Sequence, residues 1–237
     1  VYLNFIFLIF AGLNILIYFE IASFPILNWD GLATWSLKMN NFYFGQNYQN
    51  LENITYQHQP HLGSYLWALF LNNSFLKIEY FGRLFYVFIF LCSVFSLISE
   101  INKNKNFYLL IFLILLIFYL TYDFYLFGGY QEYLLFSLIL FTGKLLYNFS
   151  KKSKVNFYEI IIFSLILNLI IWSKQEGLAY VIILQFVFLT LKQITIHQKI
   201  FSLLFLVGLI LLKVNYSFNH LLEDPHFNFN EIFNFNL

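Results

Sequence analysis

The chain has 237 residues, of which 60% are hydrophobic and 11% charged, and its formal net charge is +1. This composition excludes an ordinary soluble domain, and the near-neutral charge gives no sign of a nucleic-acid partner. The single cysteine, Cys92, lies in an apolar run and excludes a disulfide framework within this chain. Because long apolar runs recur from residue 1 to about residue 217, the sequence predicts an all-α, polytopic transmembrane bundle.

Seven of these runs approach the length of about 20 residues that a helix needs to cross a bilayer. In chain order they are 1–19, 81–100, 107–122, 131–149, 156–173, 177–191 and 199–217. The connections between them are short, except for the loop at residues 20–80. We therefore expect one transmembrane domain over residues 1–237, with this loop as its largest extramembrane part.

The charges predict the orientation of the bundle. Eight lysines fall in or beside the loops on one side of the predicted bundle: Lys103, Lys105, Lys144, Lys151, Lys152, Lys154, Lys192 and Lys199. Ten of the 12 acids, Asp30 and Glu132 among them, fall on the other side. Since lysine-rich loops stay in the cytoplasm, we expect an integral cytoplasmic-membrane protein whose acidic side is extracytoplasmic.

Two juxtamembrane helices are expected in the long loop. Residues 60–72 are apolar but too short to cross the bilayer, and a crossing there would reverse every later loop. After Asp30, apolar residues at spacings of three and four form one helical face, and Thr34, Lys38 and Asn41 form the opposite face. An amphipathic helix of this kind is typical of the membrane surface.

The outer side collects the residue types that transfer from a lipid phosphate would need. The candidates are Asp30, Lys38, His58, His61, Arg83, Glu132, Lys174 and Glu176. A carboxylate takes the proton of an acceptor hydroxyl, and a nearby cation stabilises the charge of a departing phosphate. His58 and His61 are three residues apart, but no further ligand spacing accompanies them, so we predict no metal site there. A requirement for a divalent metal stays open.

Each candidate also has a purely structural alternative. Asp30 could be the N-cap of the helix that follows it, because Asp is a preferred capping residue. Lys174 and Arg83 could extend to the lipid headgroups without binding a ligand. At the level of the whole chain, the alternatives are a transporter or flippase of a lipid-linked glycan and a structural subunit without catalysis.

The order of several short motifs resembles the GT-C superfamily of integral membrane glycosyltransferases, in the branch of bacterial lipid-modifying enzymes and protein O-mannosyltransferases. The motifs are Trp29-Asp30-Gly31-Leu32-Ala33-Thr34-Trp35, Tyr56-Gln57-His58-Gln59-Pro60-His61-Leu62, Phe81-Gly82-Arg83-Leu84, Gly129-Tyr130-Gln131-Glu132 and Lys174-Gln175-Glu176-Gly177. They extend over about residues 28–177. Where many relatives carry Lys-Pro-Pro-Leu, this chain has Gln59-Pro60-His61-Leu62 and lacks the lysine.

The resemblance implies a glycosyltransferase of the cell envelope that takes its sugar from a polyprenyl-phosphate donor. Asp30 would activate the acceptor hydroxyl, and Glu132 would assist it. His58, His61, Arg83 and Lys174 would contribute to the phosphate side, with Glu176 also in the substrate site. Membrane lipids and the lipid-linked donor are the implied partners, and the oligomeric state stays open. Because full-length relatives have more crossings, we expect the domain to be incomplete.

Overall fold

The computed structural model describes residues 2–23, 27–45, 59–101 and 128–220 of the chain. Within these ranges the regular structure is helical and contains no strand, which confirms the predicted fold class. The helices are α1 (Tyr2–Ser23), a π-helical turn (Gly31–Trp35) that continues into α2 (Ser36–Tyr43), α3 (Leu62–Asn73), α4 (Glu79–Ile101), α5 (Glu132–Lys151), α6 (Phe157–Ser173), α7 (Gly177–Thr190) and α8 (Ile196–His220).

Three of these helices are long and apolar enough to cross a membrane, over the segments Glu79–Leu97, Glu132–Lys151 and Ile196–Asn215. Three of the other predicted crossings are apolar helices that are shorter than these three, at Leu8–Ser23, Phe157–Ser173 and Gly177–Thr190. The 14 residues of α7 rise only about 21 Å, less than the bilayer core of roughly 30 Å. The predicted crossing 107–122 lies outside the described residues. Seven crossings therefore stay a prediction.

The outer surface of the bundle is apolar over a large area. Ile182 and Phe186 on α7, and Leu204 and Leu212 on α8, are each more than 60% exposed. Water-soluble monomers rarely expose contiguous apolar patches of this kind, whereas lipid tails cover such a surface without cost. The exposed side chains and the three long apolar helices together indicate a membrane protein.

Helices α4 and α5 lie side by side and run in the same direction. Near their beginnings Tyr86 contacts Gln131, and near their ends Lys144 Nζ donates a hydrogen bond to Ser96 Oγ. We call the end of the bundle at which these two helices begin the acidic end, and the opposite end the lysine end. The acidic end carries Asp30, Glu79, Glu132 and Glu176, and the lysine end carries Lys151, Lys152, Lys154, Lys192 and Lys199. Which side of the membrane each end faces stays a prediction.

The segment after Asp30 is helical, as its periodicity predicts, and both of its faces are largely buried. Trp35 and Met39 on the apolar face and Lys38 on the polar face are buried, whereas Leu32 is 59% exposed. The buried polar face has partners inside the protein: Lys38 Nζ, for example, donates to Gln59 O over 2.9 Å. Helix α3 packs against both α2 and α4. The predicted position of these two helices in the lipid interface is untested.

Two glycines allow the first loop to approach the turn before α5. A Cβ on Gly31 would lie 2.2 Å from the backbone oxygen of Gly128, and a Cβ on Gly63 would lie 1.2 Å from Gln131 Oε1. The Asn28 N–H donates to that same Gly128 oxygen over 3.0 Å. Because a backbone oxygen cannot move aside for a Cβ, Gly31 in particular permits the close approach that brings Asp30 to the acidic end of the bundle.

The substitution Gly31→Ala tests this contact. We expect it to destabilise the protein by about 1–3 kcal/mol, because a backbone oxygen cannot move aside as a flexible side chain can. The matched control is Gly143→Ala in α5, where an added Cβ meets nothing within 4 Å. That change should be neutral or stabilising by up to about 1 kcal/mol. Thermal unfolding of both variants in the same detergent measures the difference, and equal stabilities would contradict the close contact.

Candidate functional site

Asp30 stands directly before the π-helical turn, and its side chain forms no capping hydrogen bond with it. The structural alternative that Asp30 serves only as an N-cap is therefore wrong. Its carboxylate is partly exposed at the acidic end. A π-helical turn is uncommon and is often found at functional sites, and here it alters the spacing of the side chains that follow Asp30.

Lys174 is the centre of a group of three acids. Its Nζ contacts Glu132 Oε1 at 2.5 Å and Glu176 Oε1 at 3.8 Å. Burial alone would lower the pKa of Lys174. The hydrogen bond and charge of Glu132, and the charges of Glu176 and Asp30, outweigh burial and raise that pKa above its usual value. We call Asp30, Glu132, Lys174 and Glu176 the acid–lysine cluster.

The ends of several helices build this cluster. Glu132 is the first residue of α5, and Lys174 and Glu176 lie in the tight connection between α6 and α7. That connection is short because Gly177 packs on the backbone of Ile170, where a Cβ would meet the carbonyl oxygen at 2.2 Å. Residues that are 144 positions apart in the sequence, Asp30 and Lys174, are thus close enough for their charges to interact. A carboxylate at a helix N-terminus is also favoured by the helix dipole.

Arg83 is held by a different acid. Its Nε lies 2.8 Å from Glu79 Oε1, and its Nη2 donates to Glu79 Oε2 over 3.0 Å. This contact, one turn apart on α4, sets a carboxylate against the buried guanidinium. The predicted role of Arg83 in phosphate binding stays a prediction.

His61 has two lysines within electrostatic reach. It is buried at the beginning of α3, and burial lowers its pKa to about 3, with smaller contributions from the charges of Lys38 and Lys213. Burial also lowers the pKa of Lys38 to about 7. We call Lys38, His61 and Lys213 the basic cluster. His58, the other predicted histidine, lies outside the described residues.

Lys213 was missed as a site residue by sequence reasoning. It falls within the predicted crossing 199–217, among leucines, valines and isoleucines. An ionisable residue inside an apolar membrane helix is costly and is often functional, so its position alone could have singled it out. In the structure its Nζ donates to Ile171 O over 2.5 Å and lies 5.4 Å from the centre of the Trp172 ring.

A short chain of hydrogen bonds links the residue before Glu132 to the first turn of α3. Gln131 Nε2 donates to the Tyr86 hydroxyl over 3.2 Å, and that hydroxyl donates to Gly63 O over 2.6 Å. All three groups are buried. Gln131 precedes Glu132, and Gly63 follows His61 by two positions.

An apolar groove of about 660 Å³ lies between α1, α3 and α4. Its lining includes Tyr18, Phe70, Phe75, Phe81 and Phe88, and it includes no member of either cluster. Among the described residues, this groove is therefore separate from both clusters. The part of the chain that the structure describes also contains no group of three metal-ligating side chains.

The pairing of Glu132 with Lys174 can be measured by a double-mutant cycle. Because both side chains are partly buried, at 36% and 18% exposure, we expect Glu132→Gln and Lys174→Met to couple by about 1–3 kcal/mol in thermal unfolding. The control cycle is Lys152 with Glu159 at the lysine end, which should couple by about 0–1 kcal/mol. Additive effects of Glu132→Gln and Lys174→Met would show that the contact does not exist in solution.

No protein-family model, curated protein or solved structure matches the chain. The resemblance to the GT-C superfamily thus depends on the motifs quoted above. Of the residues that carry those motifs, Asp30, Glu132, Lys174 and Glu176 come together in one cluster.

Proposed function

We propose that this chain is an integral membrane glycosyltransferase that moves a sugar from a polyprenyl-phosphate donor to an extracytoplasmic acceptor, which is a lipid, a glycan or a protein. The observation that carries the proposal is the acid–lysine cluster. Asp30 forms no cap hydrogen bond with its helix and stands within electrostatic reach of Lys174. Charged residues are rare in this protein, at 11% of the chain.

In the proposed reaction the acceptor hydroxyl gives its proton to the Asp30 carboxylate. The hydroxyl oxygen forms a bond with the anomeric carbon of the sugar while the bond from that carbon to the phosphate oxygen breaks. The phosphate leaves with the electron pair and remains on the polyprenyl chain. The Asp30 carboxylate is the general base of this step, and Lys174 stands within electrostatic reach of it.

Glu132 has a supporting role in this proposal. One of its oxygens contacts Lys174, and the other is buried without a hydrogen-bond partner among the described residues. A buried carboxylate oxygen without a partner is costly. A sugar or acceptor hydroxyl that donates to this oxygen would remove that cost, which assigns Glu132 to substrate positioning.

The alternative is a transporter or flippase of a lipid-linked glycan. It would use the same charged groups to bind the ligand without breaking the glycosidic bond. The products separate the two: a glycosyltransferase leaves free polyprenyl phosphate and a glycosylated acceptor, whereas a flippase leaves the donor intact on the other leaflet.

The substitution Asp30→Asn tests the role of the acid. We expect transfer from a panel of polyprenyl-phosphate sugars to fall about 100-fold or more, because the amide cannot take the acceptor proton. Membrane insertion and melting temperature should stay near those of the wild type, since the carboxylate does not cap the helix. Transfer is measured as radiolabelled sugar on the acceptor, with the intact gene product in proteoliposomes.

The control variant is Glu159→Gln, which removes an acid at the lysine end and should leave transfer unchanged. Wild-type turnover by the Asp30→Asn protein would remove Asp30 from the proposed role. Absence of transfer by the wild type with every donor, together with movement of intact donor between leaflets, would favour the flippase.

A further inference from the structure

The lysine end of the bundle carries five lysines at two connections between helices. Lys151, Lys152 and Lys154 lie at the connection between α5 and α6. Lys192 lies in the connection between α7 and α8, and Lys199 lies in the first turn of α8. All of them except Lys199 are exposed. We call these five residues the lysine surface.

Two hydrogen bonds hold the two connections side by side. Gln193 Nε2 donates to Ser150 O over 2.8 Å, and Gln198 Nε2 donates to Val155 O over 2.9 Å. Each bond joins residues 43 positions apart in the sequence. Val155 and Ile194, one in each connection, are also buried. The lysines of the two connections therefore belong to one surface of the folded protein.

Carboxylates compensate only part of the positive charge of this surface. The described acids at this end are Glu100 near the end of α4 and Glu159 in the first turn of α6. Lys152 forms an ion pair with Glu159. Within the described part of the chain, Lys154 and Lys192 contact no carboxylate. The lysine surface thus keeps a net positive charge, in contrast to the opposite end of the bundle.

Helices α6 and α7, next to this surface, are short for a bilayer. Their 17 and 14 residues rise about 25 and 21 Å, less than the roughly 30 Å of the hydrocarbon core. Around helices of this length the bilayer thins, and flanking side chains extend to the head groups. Helix connections of this kind lie close to the lipid phosphates.

Exposed apolar side chains at the same end agree with this depth. Phe157 and Tyr158 begin α6 and Ile196 begins α8, and Tyr158 and Ile196 are 79% and 64% exposed. Aromatic side chains beside lysines are typical of the boundary between lipid tails and head groups. Lipid tails can cover these side chains, and the neighbouring lysines then meet the head groups.

We propose that the lysine surface binds the head groups of anionic phospholipids. The ammonium groups of Lys154, Lys192 and their neighbours donate charge-assisted hydrogen bonds to the phosphate oxygens. Each lysine near an anionic membrane surface strengthens binding about fivefold. A zwitterionic lipid also carries a phosphate, but its own cation opposes the lysines. The proposal does not depend on sugar transfer, because binding is measured without a sugar donor.

Thermal unfolding of the full chain in an uncharged detergent measures this binding, since a ligand of the native state raises the melting temperature. The titrants are short-chain phosphatidylglycerol, phosphatidylcholine with the same acyl chains, and inorganic phosphate. We expect a saturable rise with phosphatidylglycerol that the other two do not produce. An equal rise with both lipids would overturn the proposal, as would a rise with inorganic phosphate that matches the rise with phosphatidylglycerol.

The double variant Lys154→Gln, Lys192→Gln tests which residues bind the lipid. We expect its affinity for phosphatidylglycerol to fall about tenfold or more, because two cations are removed. Both side chains are exposed, so the melting temperature without lipid should stay near that of the wild type. The variant Lys154→Arg, Lys192→Arg keeps both charges and should bind within about threefold of the wild type.

The control for position is Lys77→Gln. Lys77 is also exposed, but it lies at the acidic end, just before α4. Its removal should change the affinity for phosphatidylglycerol by less than about twofold. Wild-type affinity in the Lys154→Gln, Lys192→Gln protein would contradict the lysine surface, and so would an equal loss of affinity in the Lys77→Gln protein.

The salt dependence of binding needs no substitution. Sodium chloride screens exposed charges, and the screening length falls from about 10 Å at 0.1 M salt to about 3 Å at 1 M. We therefore expect the affinity of the wild type for phosphatidylglycerol to fall about tenfold or more over this range. An affinity that does not change with salt would show that the acyl chains alone carry the binding, and it would exclude the lysines from it.

Discussion

The close contact between the first loop and the turn that precedes α5 holds the rest of the acidic end in place. Gly31 lies against the backbone oxygen of Gly128, and Gly63 lies against the side chain of Gln131. These contacts carry Asp30 toward Lys174 and His61 toward the same end of the bundle. A side chain at Gly31 would overlap the backbone oxygen of Gly128, so the loop could not keep this close contact.

The charges at this end form two groups with opposite properties. In the acid–lysine cluster the carboxylates outnumber the cation, so the pKa of Lys174 rises. In the basic cluster burial lowers the pKa values of Lys38 and His61. Hydrogen bonds from Gln131 to Tyr86 and from Tyr86 to Gly63 link the turn before α5 to the first turn of α3.

Several elements of the fold were predictable from local pattern. The apolar runs predicted the bounds of α4, α5 and α8 to within a few residues, and the periodicity predicted the helix after Asp30. Contacts between elements lie outside what local pattern contains. Lys38, on the polar face of the helix after Asp30, is buried, and α3 packs against α2. Arg83 pairs with Glu79 in the structure, and its predicted role in phosphate binding stays a prediction.

The sequence by itself determined the helical class, the membrane character and the separation of acids from lysines along the chain, because these depend on composition and on the period of a helix. Only the tertiary structure decided which charges meet. Asp30 joins Lys174 across more than half of the chain, and Lys213 joins Lys38 and His61 from the other end of the sequence. Such pairings depend on how the helices pack and on two glycines that permit a close backbone approach, and no local pattern encodes that packing.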